Sequence, residues 1–231
     1  MEKLKRALGS FLVPLLSILL AFVIGGIVMA ALGANPLTAL KFLFRGAFGS
    51  AANIGTTLTK ATPLMFTSLC ACFAYKCGVF NLGGEGQFLM GSMAAFLTAY
   101  FSGLTGFAGI LLALLAGALA GGLWGLIPGI LKITRGQNEM IISIMLNYVA
   151  TLFMGVLYTS WIRDANIPQT PAISKLVQLP RVIPSLRFTW GFVLALAVGL
   201  IMYYVLIWTS GGFKLRAVGY NMTAARFNGI P

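Results

Sequence analysis

The sequence predicts an all-α, polytopic membrane protein with about six spans, and three observations carry that expectation. Of its 231 residues 59% are hydrophobic and only 9% charged, whereas soluble domains carry roughly 25% charged residues. Mean hydropathy is +0.93, too high for a chain that keeps its surface in water. The charges also leave long gaps, and the net charge of +12 is spread between those gaps rather than gathered in one patch. A basic patch would suggest nucleic acid; cations between apolar runs instead suggest membrane topology.

The gaps define the spans. A membrane helix needs about 20 apolar residues. Residues 7–40 are free of charge and densest in apolar side chains over 11–32. Residues 61–75 lie between Lys60 and Lys76, giving a short span over 58–76 for which a re-entrant segment is the rival. The uncharged interval 86–131 is too long for one crossing, and Ser102-Gly103 and Thr105-Gly106 divide it into 86–101 and 107–131. Spans over 140–162 and 189–209 follow. Residues 1–210 therefore form a membrane domain, and 211–231 a cytoplasmic segment.

Orientation follows from the cations. The basic start of the chain places the N-terminus inside, and the apolar run after it is too long for a cleaved signal peptide. Six crossings put Lys3, Lys5, Arg6, Lys76, Lys132, Arg135, Lys214, Arg216 and Arg226 inside. Outside lie Lys41, Arg45, Lys60, Arg163, Lys175, Arg181 and Arg187. The inner loops are short and basic, where the positive-inside rule holds best. On the outer side, Asn35-Pro36 reads as a cap and first residue of a surface helix. Residues 162–188, with Pro168, Pro171, Pro180 and Pro184, read as an extended exposed loop.

Composition excludes much chemistry. There is no histidine, hence no Ser-His-Asp triad and no histidine metal site. The acids are Glu2, Glu85, Glu139 and Asp164, too few for paired-carboxylate catalysis. No phosphate-loop motif occurs, so the chain is not expected to hydrolyse ATP. Cys70, Cys72 and Cys77 read as small core residues. No catalytic residue, metal or cofactor is expected.

Some residues still stand out. Gly117, Gly121, Gly125 and Gly129 recur every fourth position and predict a face for close helix packing. Before the third span, Asn81, Glu85 and Gln87 lie in a glycine-rich turn. Asn138 and Glu139 open the fifth span, and Glu139, Ser143 and Asn147 share one side of it. That polar stripe either lines a solute pathway or bonds to a neighbouring helix. Near the end, Asn221 can cap a short helix that Gly229 ends. Ala224 and Ala225 on it form a small knob able to dock in a groove, and a basic helix held by anionic lipid is the alternative.

Three motifs carry a resemblance. Ala224-Ala225-x-x-x-Gly229 resembles the cytoplasmic loop of permease subunits of ATP-binding cassette (ABC) importers. Gly78-Val79-Phe80-Asn81-Leu82-Gly83-Gly84-Glu85-Gly86-Gln87 is similar to a turn in the branch that carries ribose, branched-chain amino acids and nucleosides. Asn138-Glu139 through Asn147-Tyr148-Val149-Ala150 looks most like its nucleoside members. The resemblance implies a permease of the cell membrane, with Gly219, Asn221, Ala224, Ala225 and Gly229 coupling to an ATPase. It implies Asn81, Glu85, Gln87, Asn138, Glu139, Ser143 and Asn147 as pathway or gating residues. Its implied partners are ATP-binding subunits, a second permease subunit, an extracytoplasmic solute-binding lipoprotein and membrane lipid. Further spans are expected beyond residue 231 in a full-length subunit. The alternatives are an ATP-independent channel or carrier, or a permease for sugar or branched-chain amino acids. Deep ionisable groups, common in ion-coupled carriers, are absent from the spans read here.

Overall fold

A computed structural model describes residues 2–160, 162 and 170–230, with the backbone alone for residues 2–11 and 184. Arg163, Asp164 and Pro168 lie outside the described residues, as do the side chains of Glu2, Lys3, Lys5 and Arg6. The chain divides into two units, Met1–Thr57 and Leu58–Pro231.

In the first unit α1 spans Glu2–Ala31 and α2 Pro36–Phe48, and α3 (Ala51–Lys76) begins. Asn35 caps α2, its Oδ1 accepting from the backbone N–H of Leu37 at 3.0 Å and of Thr38 at 3.2 Å. That satisfies two of the donors that a helix start leaves open. The α2–α3 corner is tied by Asn53, whose amide donates to the Arg45 carbonyl at 3.0 Å, and by Thr57, which donates to that of Ala47 at 3.1 Å.

The helix that contains the expected second span over 58–76 is longer than that span: α3 begins at Ala51. Ser50 accepts from the Asn53 N–H at 3.1 Å and so starts the helix early. Lys60 then sits exposed on the helix rather than ending it. The hydroxyls of Thr56, Thr62 and Ser68 turn back onto carbonyls of their own helix, which lets a hydroxyl-rich helix stay free of unpaired donors.

In the second unit follow α4 (Gly84–Phe101), α5 (Gly106–Arg135), α6 (Glu139–Ser160), α7 (Trp190–Trp208), α8 (Ser210–Tyr220) and α9 (Met222–Phe227). Among the described residues, four segments are long and apolar enough to cross a membrane: Leu12–Ala31, Gly106–Arg135, Glu139–Ser160 and Trp190–Trp208. The packing supports a lipid setting. Buried apolar residues among those described include small ones such as Ala150, Ala195 and Ala225, while Leu119, Leu152, Leu200 and Ile201 are each more than 60% exposed. Large side chains outside and small ones between helices suit a solvent of acyl chains, where helices associate by close backbone approach.

The connection between α6 and α7 differs from the extended chain expected. From residue 170 on it holds a short helical turn, Lys175–Val177, and an antiparallel pair of β1 (Arg181–Ile183) with β2 (Phe188–Thr189). The Trp190 N–H donates to the Pro180 carbonyl at 3.2 Å and closes this hairpin. Val177 is buried.

Gly117 and Gly121 of α5 pack against α4. A Cβ at Gly117 would stand 3.0 Å from the Gly91 carbonyl oxygen, and one at Gly121 would stand 3.0 Å from that of Gln87. Gly125 faces the Gln87 side chain at 3.1 Å. A Cβ at Gly129 would meet nothing within 4 Å in this chain. At 3.6 residues per turn a four-residue repeat drifts by about 40° per step, so the fourth glycine has left the face. Gly121→Leu should therefore cut the yield of folded protein severalfold, whereas Gly122→Leu, at a site with nothing within 4 Å, should not. Size-exclusion chromatography in detergent reads the difference; equal yields would show that α4 does not need the close approach.

Candidate functional site

The turn between α3 and α4 gathers a cluster of polar side chains. Asn81 sits in it, and its Oδ1 accepts from the Gly83 N–H at 2.9 Å and from Gln87 Nε2 at 3.2 Å. The Asn81 amide donates to Cys70 Sγ at 3.3 Å, and the Cys70 thiol donates to Gln87 Oε1 at 3.1 Å. Two carboxamides and a thiol thus satisfy one another between α3 and α4. Cys70, a small core residue by the sequence reading, is a member of this cluster.

Asn147, midway along α6, fastens the turn from the other side. Its amide donates to the Leu82 carbonyl at 2.9 Å, and its Oδ1 accepts from the Gly86 N–H at 2.8 Å. Gly86 belongs to the first turn of α4, whose N–H groups have no partner in their own helix. Asn147 therefore caps α4 from a different helix. The approach requires glycine: a Cβ at Gly86 would lie 2.9 Å from Asn147 Oδ1 and 3.2 Å from the Leu146 carbonyl oxygen.

The remaining candidates do not join this cluster. Ser143 is buried, but its hydroxyl donates to the Glu139 carbonyl of its own helix at 2.6 Å. Glu139 forms an ion pair with Lys132 at 2.6 Å across the α5–α6 turn. Asn138 caps the start of α6, accepting from the Met140 N–H at 2.9 Å. Glu85 is exposed in the first turn of α4, where a carboxylate suits the positive helix end. Among the described residues no group of acids, cysteines or histidines could hold a metal ion.

The segment after α7 forms two short helices. Thr209 breaks the chain between α7 and α8 and caps α8, accepting from the Gly212 N–H at 3.0 Å. Asn221 does the same for α9, accepting from the Ala224 N–H at 2.9 Å. Gly229, at φ 73°, ends it in the left-handed conformation that glycine adopts freely. One reading needs correction. Ala225 is buried within its own chain at 5% exposure, so the outward part of the expected knob is Ala224 alone.

Gly219 connects this segment to the turn. A Cβ on Gly219 would lie 2.6 Å from the Lys76 carbonyl oxygen and 2.8 Å from the Cys77 carbonyl carbon. One on Gly78, whose φ is 76°, would lie 2.7 Å from the Gly219 Cα. Backbone meets backbone, with no room for a side chain on either partner. The α8 helix therefore bears directly on the turn that carries Asn81. The sequence reading does not mark Gly91, holds Gly78 only as the first residue of the turn motif and takes Cys70 as a small core residue, although Gly91-x-x-x-Ala95 is itself a small-residue pair one turn apart. Ala95 lies 3.2 Å from the position of a Cβ on Gly117.

Comparison with known proteins places the chain. Residues 53–231 match the family model of the branched-chain amino acid transport system permease component. The chain is 33% identical over 231 residues to the guanosine ABC transporter permease protein NupP of Bacillus subtilis, covering 97% of this chain and 66% of that protein. It is 34% identical over 233 residues to the nucleoside ABC transporter permease protein NupB of Lactococcus lactis, covering 95% and 63%. It is 31% identical over 229 residues to the glucose ABC transporter permease protein TsgB13 of Haloferax volcanii, covering 94% and 60%. The chain thus spans less than two thirds of the length of these relatives. No solved structure matches it. With a family match over most of its length, the chain belongs to the branched-chain amino acid transport system permease family and is a multi-pass, all-α protein of the cell membrane.

Proposed function

We propose that the chain is a permease subunit of an ABC importer and that its solute is a nucleoside. ATP is bound and hydrolysed on separate subunits, a second permease subunit completes the pathway, and an external lipoprotein delivers the solute. The observation that carries this reading is the Gly78–Gly219 contact. It gives a push on α8 and α9 a rigid route into the turn of Asn81, Gln87 and Asn147. Those amides form a gate that is closed when they are bonded to one another and opens when they exchange partners. Glu85, Asn138, Glu139 and Ser143 border the inner side of that gate. Asn221, Ala224 and Gly229 shape the surface that meets the ATPase, and Ala225 holds α9 to its own chain. The nucleoside assignment rests on the names of NupP and NupB; the name of TsgB13 supports a sugar as the second reading.

The function is tested by uptake of labelled guanosine in cells that carry the complete importer. Uptake should be outcompeted by excess adenosine, unaffected by excess glucose, and lost when the phosphate loop of the ATPase partner is mutated. Competition by glucose alone would favour the sugar reading, and uptake that survives the ATPase mutation would favour a carrier.

Six spans with both ends in the cytoplasm are part of the proposal, with α3 and α4 as crossing helices. Lys175→Cys, in a chain whose own cysteines are replaced, should react with an impermeant thiol reagent in intact cells. Reaction only after lysis would contradict the topology.

A further inference from the structure

A recess of about 310 Å³ lies beside the Gly78–Gly219 contact, where the end of α3 meets α8. Its side chains are Tyr75, Lys76, Phe80, Arg216 and Tyr220. The charge is one-sided: two cations line it and no carboxylate does. The Arg216 Nε is buried and has no hydrogen-bond partner. Buried donors are paired in the great majority of cases, and a guanidinium presents its donors in a fixed fork suited to carboxylate or phosphate oxygens. The ion pair formed among the described residues is Lys132–Glu139, which leaves Lys76 and Arg216 without an acidic partner there.

The rim points to the source of the missing acceptor. Tyr75 and Phe80 meet edge to face at 5.6 Å. Tyr220 beside them is 85% exposed. Tyrosines with one apolar and one polar end gather at the headgroup level of membranes. Lys76 is the last residue of α3, the place from which a lysine snorkels towards the interface. A water occupies about 30 Å³ in the liquid, so the recess has room for a phosphate and its immediate attachment. It is too small to admit a helix of a partner protein.

We infer that this recess binds a phosphate group between the Lys76 ammonium and the Arg216 guanidinium, and that the phosphate belongs to an anionic membrane lipid. Because Gly78 and Gly219 form part of its wall, an occupied recess ties α8 to the α3–α4 turn. The lipid then strengthens the joint between the inner segment and the polar turn. The inference needs the chain to lie in a membrane but does not depend on which solute it carries.

The test uses the purified chain in neutral detergent and compares three additions: phosphatidylglycerol, phosphatidylcholine and inorganic phosphate. Native mass spectrometry counts bound lipid, and the thermal midpoint follows occupancy. Phosphatidylglycerol should bind as a single retained molecule and raise the midpoint, with phosphatidylcholine much weaker. Arg216→Gln and Lys76→Gln, on two different helices, should each weaken that binding by about fivefold or more. Lys214→Gln, which removes an inner cation that does not line the recess, should leave it unchanged. A midpoint raised by inorganic phosphate alone, with the same dependence on Arg216 and Lys76, would keep the phosphate site and replace its lipid source. Equal losses in Lys214→Gln and Arg216→Gln would overturn the site in favour of diffuse surface charge. No response to any addition would overturn it outright. So would an unchanged lipid response of Arg216→Gln together with loss of the ATP-binding partner when the same variant is purified within the complete importer, which would assign the guanidinium to a protein carboxylate.

Discussion

Replacing Asn147 by leucine should cost more stability than any other single change in the polar cluster. Leucine keeps the branched shape and the number of heavy atoms but removes both of the bonds that Asn147 makes to the α3–α4 turn. The Gly86 N–H would be left buried without an acceptor, at a cost of roughly 1–3 kcal/mol. The Leu82 carbonyl is more open and adds less. The apolar side chain would also press on Gly86, where the backbones already approach closely. A lowering of the thermal midpoint by about 5 °C or more is expected. Ser143→Ala, one turn earlier on the same helix, removes a hydroxyl that bonds only its own helix and should shift the midpoint by less than about 2 °C. Fluorescence-monitored melting in detergent checks both. Equal effects of the two changes would mean that the Asn147 bonds do not hold the turn.

Gly219→Val should abolish uptake while leaving the protein in the membrane. Its side chain would begin 2.6 Å from the Lys76 carbonyl oxygen. The neighbouring atoms are backbone, which cannot turn aside as a side chain can. Overpacking of this kind costs roughly 1–3 kcal/mol, and the system escapes the strain by moving α8 away from the turn. The clash falls on the last residue of α3 and leaves the apolar stretches of the helices unchanged, so insertion continues. Gly211→Val, on the same helix but with its nearest neighbour at 3.8 Å, should retain most of the uptake. Immunoblots of membranes together with labelled guanosine uptake separate lost transport from lost protein.

The helices were legible because their signals are local. Charge-free gaps, Gly and Ser breaks, and the Asn35-Pro36 and Asn221 caps each lie within a few residues of the boundary they set. Ala51 escaped detection because Lys60 resembles a membrane boundary, whereas on a long helix it is an exposed side chain. The polar cluster was half legible. Asn81 and Gln87 stand out in a glycine-rich turn and Asn147 in the polar stripe of an apolar helix, but the partners of Asn147 lie far along the chain. Gly86 is 61 residues from Asn147 and Leu82 is 65 away, and no period or spacing connects positions so distant. Cys70 joins Gln87 across 17 residues and looks from sequence like any small apolar residue. Ala224 and Ala225 are neighbours on a short helix, about 100° apart around its axis. Which of them faces outward depends on where α8 lies, and sequence alone does not place it.

The central claim is that motion of the inner segment reaches the polar turn through the Gly78–Gly219 contact. Simultaneous measurement of ATP hydrolysis and guanosine uptake in proteoliposomes carrying the complete importer tests it most directly. With Gly219→Val in the permease, the ATPase partner should still assemble and hydrolyse ATP, while guanosine uptake per ATP falls by about tenfold or more. Unchanged uptake per ATP in that variant, with the complex intact, would contradict the claim.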